Sequence, residues 1–426
     1  MEKRTVIIGL DGVPFGLLKD LSEKGVMPNT KELLSGGTFR KMRSSIPEVS
    51  SVAWSSIITG KNPGEHGIFG FTDLWPNSYE LRFPNFRDLK SLPFWRANEN
   101  ESVIINVPST YPVSAMEGVH ISGFVSIELE KSVYPNSLVP KLRDLDYRLD
   151  VNSQLAHKSL DLFLEDLDKT LTSRINTYKH LWRFIDWKTF MLVFTGTDRL
   201  MHFLWEAYED QNHKYHGHFL EYFKKIDMAI GEINNNLKNG DALIMLSDHG
   251  FERLDKDVYI NCALRQQGFL NFKSNSELSL DNLDNSTKAF SLDPARIYIN
   301  LKGKYPKAGV KPEDRDKVAN DLVSFFDSLT VDGKKVIKKI YKKEEIYSGP
   351  CLDKAPDLIL MGNKNFNLKS SLNFSGLTSK GPFTGKHTYE DAFLFINNSS
   401  LANNLPQEPD VFCLADLFSP SSVVKS

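Results

Sequence analysis

Ala242–Phe251 reads ALIMLSDHGF. This stretch constrains the chain more than any other. Five apolar residues run without a polar break into Ser247-Asp248-His249-Gly250. A strand with one solvated face alternates in polarity, whereas a strand buried on both faces reads as an unbroken apolar run. Ala242–Leu246 therefore predicts a central strand of a parallel sheet covered on both sides. In such open α/β sheets, ligands sit outside the carboxyl ends of the strands. A buried strand that ends there in a carboxylate and an imidazole is a candidate site for a divalent transition metal. The alternative is a turn in which Asp248 caps the next helix.

Three more stretches share this form. Thr5–Leu10 is a short apolar strand ending in Asp11-Gly12, with Pro14 opening a helix over Phe15–Lys24 and a second helix running from Pro28-Asn29 to Gly36-Gly37. Thr189–Phe194 runs into Thr195-Gly196-Thr197-Asp198, followed by His202. If a helix starts near Asp198, residues i and i+4 lie on one face, so Asp198 and His202 can share one ion. Ser102–Val107 is a fourth apolar strand, and Val119–Phe124 is expected at an edge. Late in the chain, His387 lies in a glycine-rich loop (Ser379–His387) ahead of the strand Ala392–Ile396, and Asp410–Leu417 reads as a closing helix.

Ser50–Thr59 reads as a short helix, ended by Gly60 and Asn62-Pro63-Gly64, with Ser50 or Ser51 expected at its N-cap. A serine there sits beside unpaired backbone N–H groups and the positive end of a helix dipole. That environment binds phosphate and favours an alkoxide. His66 lies in a glycine-rich loop and reads as structural, and the polar His213–His218 segment leading into the helix Phe219–Leu237 reads as an exposed loop. Leu155–Phe184 is a long amphipathic stretch.

From about Ile260 the pattern changes to a polar loop (Asn275–Lys288), strands at Ala295–Leu301 and Pro356–Met361, a helix over Pro312–Leu329 and a basic mixed segment, Val336–Tyr347. The expected organisation is a core of residues 1–260 and 381–426 with 261–380 inserted as an α+β subdomain. The fold class is α/β, a three-layer αβα sandwich on a mainly parallel sheet.

A net charge of −2 gives no electrostatic reason to bind a nucleic-acid polymer or an anionic membrane. Cys262, Cys351 and Cys413 are far apart in sequence, with no CxxC, which favours a reducing compartment and argues against thiolate metal ligands. No window approaches a membrane span, and the first apolar run is too short for a secretory leader. A cytoplasmic protein is expected. Its oligomeric state cannot be read from the chain.

Asp11, Asp198, His202, Asp248, His249 and His387, with Ser50 at a helix start, are enough ligands for two metal ions. Such a pair, about 3.5–4 Å apart, can clamp both oxygens of an in-line displacement at phosphorus. The ordered set GLDG (Gly9–Gly12), MPNTKELLSGG (Met27–Gly37), VSSVAWSSIITGKNPGEHGI (Val49–Ile68), TDRLMH (Thr197–His202), SDHGF (Ser247–Phe251) and TGKH (Thr384–His387) resembles the alkaline phosphatase superfamily, in its type I phosphodiesterase/nucleotide pyrophosphatase branch. The resemblance implies that Asp198, His202 and His387 hold one metal and Asp11, Asp248 and His249 the other. It further implies that Ser50, which also faces the metals, attacks phosphorus and forms a covalent phospho-enzyme. Two divalent ions are expected, zinc first, with manganese or iron not separated from it by mixed Asp/His ligands.

The chain departs from the branch in one place. Where nucleotide pyrophosphatases keep a phosphate-binding Asn, this chain has Phe71, which cannot donate a hydrogen bond. Lys386 or a backbone N–H would then serve, and Phe71 would stack on a substrate ring or line an apolar pocket. The implied substrate is a small phosphorylated molecule, diester or monoester. The rivals are a phosphomutase or phosphotransferase on the same site, and a metal-binding module without turnover.

Overall fold

The structure is a computed structural model and describes residues 4–418, apart from 98–100, 375 and 404. Contacts divide the chain into two compact units, one of Met1–Lys61, Asn85–Glu252 and Thr384–Ser426, the other of Asn62–Pro84 and Arg253–Phe383.

The first unit is built on an eight-stranded sheet. Its strands are β1 (Thr5–Leu10), β2 (Thr38–Met42), β3 (Ser102–Val107), β4 (Gly118–Ser122), β5 (Val133–Tyr134), β6 (Thr189–Phe194), β7 (Ala242–Leu246) and β8 (Ala392–Ile396), in the order β2-β8-β7-β1-β6-β3-β4-β5. β7, β1, β6, β3 and β4 run parallel, while β8, β2 and β5 run antiparallel to their neighbours. The unbroken apolar runs are the innermost strands, and every residue of β1, β6 and β7 is buried.

The main helices are α1 (Phe15–Glu23), α2 (Pro28–Gly36), α3 (Ser50–Thr59), α4 (Leu160–Phe184), α5 (Gly196–Glu209) and α6 (His216–Asn235). Successive strand side chains alternate between faces. Ile7, Met191, Val193, Ile244 and Leu246 pack with Trp54, Ile57 and Ile58 of α3. Phe190, on the opposite face, packs against Trp182 of α4 at 5.1 Å between ring centroids. The three layers follow from these contacts.

Helix α2 has no cap of its own, since Met27 precedes it and provides none. Instead, the buried Asp227 of α6 accepts hydrogen bonds from the Asn29 and Thr30 backbone N–H groups (3.1 and 2.7 Å), from Asn29 Nδ2 (2.9 Å) and from Thr30 Oγ1 (2.7 Å). A carboxylate at a helix N-terminus satisfies orphan donors and complements the dipole. Gly231 permits this approach, because a Cβ there would lie 2.5 Å from Asn29 Cγ.

Several expectations are corrected at this level. The strand Gly118–Ser122 is not the edge of the sheet, since Val133–Tyr134 pairs outside it. Asp410–Leu417 is not one helix but two short 3-10 turns, Val411–Cys413 and Ala415–Phe418. His66 ends a short helix, Pro63–His66, and His387 lies on a strand, Gly385–Thr388, paired with Gly250–Arg253.

The second unit is α+β. Ala289–Leu292, Arg296–Ile299, Leu358–Gly362 and Ile337–Lys342 form a four-stranded antiparallel sheet. Leu322 and Phe326 of the helix Arg315–Ser328 lie in the same apolar cluster as Ile297 and Leu358. The segment Asn62–Pro84 belongs here, although the sequence places it with the core. Arg296, fully buried, donates to the Thr72 carbonyl at 2.8 Å, and Tyr79 Oη donates to Asn300 Oδ1 at 2.6 Å. A buried guanidinium must find acceptors, and that requirement holds the segment in place.

Cys262 and Cys351 are buried and Cys413 is half-buried. Among the described residues, no helix is long and apolar enough to cross a membrane.

Candidate metal centre

Asp11 follows β1, Asp198 lies in the first turn of α5 after β6, and Asp248-His249 follows β7. These three strands are adjacent and parallel, so their carboxyl ends share one edge of the sheet. The ribbon Gly385–Thr388 brings His387 to the same place, and α3 brings Ser50. The sequence-predicted ligands meet, with Asp11, Asp248 and His249 forming one group of converging donor atoms and Asp198, His249 and His387 another. His202 joins the second group, its Nε2 lying 3.4 Å from Asp198 Oδ1 and 3.0 Å from His387 Nε2.

The cluster has a consistent construction in which each side chain is tied on its outer side and open on its inner side. Asp11 Oδ2 accepts from the Trp54 indole N–H at 3.0 Å, leaving Oδ1 3.5 Å from Ser50 Oγ and 3.8 Å from His249 Nε2. Asp248 Oδ1 accepts from the Gly12 backbone N–H at 3.0 Å, while its buried Oδ2 has no hydrogen-bond partner. Asp198 Oδ2 faces Arg199 at 3.5 Å, and Oδ1 lies 3.1 Å from His387 Nε2.

The imidazoles follow the same plan. Nδ1 of His202, His249 and His387 lies against the main-chain carbonyls of Gly385 (3.2 Å), Gly250 (3.1 Å) and Glu48 (3.0 Å). A ring whose Nδ1–H donates to a carbonyl presents a bare Nε2, the tautomer a metal ligand needs. With that tautomer on both rings, the His202 and His387 Nε2 atoms oppose one another across 3.0 Å. Without a cation one ring must carry a proton; against its burial, the hydrogen bond and charge of Asp198 raise His387 and favour it for that role. A shared cation resolves that opposition, and it also satisfies the orphaned Asp248 oxygen. The residues present fit divalent metal.

Electrostatics agree. Burial, then the charges of Asp248 and Asp198, push the Asp11 carboxyl well above the usual range. Burial raises Asp248 to about 7, against the Gly12 hydrogen bond. Burial also opposes ionisation of Asp198, but His202, His387 and Arg199 outweigh it and hold this carboxyl low. Burial lowers His202 to about 4 and His249 further. Three carboxylates this close and this dry ionise together only with positive charge beside them.

The sequence puts Ser50 or Ser51 at the N-cap, and neither is there. The cap is Val49, which makes no side-chain cap hydrogen bond, and Ser50 is the first helical residue. Its hydroxyl is thereby free to face the cluster, 3.2 Å from His249 Nε2. Ser51 Oγ, by contrast, is buried without a partner. Lys386, 7% exposed, pairs with Glu252 at 3.0 Å. Phe71 lies in the second unit, beside Gly70, where a Cβ would strike the Arg296 guanidinium at 2.6 Å.

The sequence does not single out the side chains that hold the ligands, Trp54 and Arg199, or Asp150, which holds Arg199. Trp54 had a signal, because it is four residues after Ser50 on the same helix and so on the same face. Its indole fits only because β1 has a glycine at Gly9, where a Cβ would lie 2.5 Å from Trp54 Cη2.

The layered fold and this cluster define a hydrolase of the alkaline phosphatase superfamily. The sequence profile of the family described as type I phosphodiesterase/nucleotide pyrophosphatase matches residues 5–390, and the chain belongs to that family of phosphoric ester hydrolases. Phosphonoacetate hydrolase from Sinorhizobium meliloti 1021, solved with phosphonoformate, aligns with a TM-score of 0.63 at 16% identity, covering 97% of this chain and 95% of that one. Murine ectonucleotide pyrophosphatase/phosphodiesterase 5 aligns at 0.55 and 13% identity over 97% and 94% of the two chains. The human protein of the same name aligns at 0.56 and 11% over 97% and 93%. At these identities the likeness is one of fold. No curated protein sequence gives a significant match.

Proposed function

We propose that the protein hydrolyses a small phosphoester through Ser50. The observation that carries this reading is the position of Ser50 Oγ at the start of a ten-residue helix, 3.2 Å from His249 Nε2 and 3.5 Å from Asp11 Oδ1. Asp198, His202 and His387 would hold one divalent cation and Asp11, Asp248 and His249 the other, zinc before manganese or iron. Cations held there supply Lewis acidity and lower the pKa of the serine hydroxyl.

Ser50 Oγ passes its proton to a water molecule, from which the leaving group later recovers it, and bonds to phosphorus as the ester O–P bond breaks. The departing alkoxide leaves as an alcohol after taking a proton from water. A second water then attacks the phosphoserine, releasing phosphate or a monoester and returning the proton to Ser50. The N-terminus of α3 aims unpaired N–H groups and its positive dipole end at the phosphoryl oxygens. Lys386 can strengthen that anion site if it exchanges Glu252 for substrate.

Bis-p-nitrophenyl phosphate, p-nitrophenyl phosphate and phosphonoacetate, each with and without chelator, separate diesterase, monoesterase and carbon–phosphorus hydrolysis. Transfer of phosphate to an added alcohol rather than to water would reveal a transferase, and silence on every substrate would reveal a binding module. Ser50→Ala is expected to abolish turnover while metal content stays at two ions. Full activity in that variant would show that another group is the nucleophile.

A further inference from the structure

Arg199 differs from the other groups that tie the ligands on their outer side. Asp11 and Asp248 are held by neutral donors, Trp54 Nε1 and Gly12 N. Asp198 instead faces a guanidinium, with Nη1 3.5 Å from Oδ2. That guanidinium is itself fixed. Its Nη2 donates to Asp150 Oδ2 at 2.8 Å, and its Cζ lies 4.2 Å from the centroid of the Phe124 ring. The Arg199 side chain is only 17% exposed. Arg199 Nε and Asp150 Oδ1 are both buried without hydrogen-bond partners. The planar fork is therefore held by charge on one edge and by an aromatic on its face, a geometry that an ammonium cannot reproduce.

The consequence falls on Asp198. Its Oδ2 lies 3.5 Å from the Arg199 guanidinium, while Oδ1 lies 3.1 Å from His387 Nε2 and 3.4 Å from His202 Nε2. A carboxylate held in this way gives one oxygen to a metal, not two. Zinc accepts one oxygen from each carboxylate in a low-coordinate site, whereas larger, oxygen-seeking ions gain from carboxylates that chelate with both oxygens. We propose that Arg199 is a positioning residue that restricts Asp198 to one-oxygen donation and thereby tilts the Asp198–His202–His387 side toward Zn2+ over Mn2+.

This inference rests on the metal reading given above, and the test separates the two. Wild type and Arg199→Met are stripped with chelator and titrated calorimetrically with Zn2+ and with Mn2+, and circular dichroism checks that each is folded. The Zn2+/Mn2+ affinity ratio at one of the two sites is expected to fall about tenfold in Arg199→Met, the scale on which outer partners of metal ligands act. X-ray absorption at the zinc edge is expected to show an added oxygen neighbour. A uniform loss of both ions, or a ratio equal to wild type, overturns the proposal, because a merely structural role would not discriminate between metals. If Arg199→Met does not fold, Arg199→Lys carries the test. Its ammonium keeps a charge for Asp150 but cannot also span to Asp198, so an intermediate fall is expected and an unchanged ratio overturns the proposal. A wild-type protein that binds neither ion refutes both readings; one that binds two ions with no change in the variants refutes only this one.

Discussion

The indole N–H of Trp54 offers a direct test of the outer ties. Trp54→Phe keeps an aromatic ring in the core of α3 but deletes the donor 3.0 Å from Asp11 Oδ2. Hydrogen bonds to a buried charged group contribute about 1.5–3 kcal/mol. Asp11 is already pushed up by burial and by two neighbouring carboxylates, so losing a donor to its charged form disfavours that form further. A metal needs the carboxylate. On the ligand assignment proposed above, the whole loss falls on the cation at Asp11, Asp248 and His249, and about 1.5–3 kcal/mol corresponds to a dissociation constant about 10- to 150-fold weaker. Calorimetric titration of chelator-stripped protein with Zn2+ should show one weakened and one nearly unaltered site. Packing loss, which affects both sites through general stability, is measured separately from the thermal unfolding of the metal-free forms. Two unchanged dissociation constants in a folded Trp54→Phe would refute the idea that the indole N–H orients Asp11 for a metal.

Two further predictions concern stability. Asp227→Ala strands the Asn29 and Thr30 backbone donors and the Thr30 hydroxyl at the uncapped start of α2, and should cost about 3 kcal/mol or more by chemical denaturation; a loss within the error of the measurement would mean that water replaces the carboxylate. His120, buried with its Nε2 unpartnered between Phe86 and Trp95, is lowered to about 3 by burial and then by Arg96. The unfolded chain binds a proton near pH 6.5 that the folded chain refuses, so stability is full above that pH and falls as pH drops toward 3, by about 2 kcal/mol at pH 5. His120→Gln should flatten the stability profile between pH 6.5 and 4, and an equal slope in both proteins would show that the buried ring is not the source.

The sequence shows the centre of this molecule better than its rim. β1, β6 and β7 are covered on both faces, and burial on both faces leaves the unbroken apolar run by which they were found. Their carboxyl ends could be matched because parallel neighbours must end at one edge. Once three such strands end in Asp, the meeting of Asp11, Asp198 and Asp248 follows from topology alone. His387 was found as a residue but its strand was missed, since Gly385–Thr388 gains its structure from pairing with Gly250–Arg253 and has no apolar pattern of its own. The membership of Asn62–Pro84 in the second unit depends on Arg296, more than two hundred residues away, and local reading cannot see a buried guanidinium's search for a carbonyl. The same holds for Asp150, which lies in a bend outside any helix and whose partner Arg199 reaches it from α5.

His387 enters the cluster by resting its Nδ1 on the carbonyl of Glu48, a residue 339 positions earlier in the chain. A polypeptide leaving the ribosome can form most of the sheet and still present an unfinished basin, with His202 lacking its counterpart. On the reading proposed above, competence toward phosphoesters would be deferred until synthesis has passed that histidine, and a chain cut short before it would also lack β8, the strand that joins β2 to the rest of the sheet.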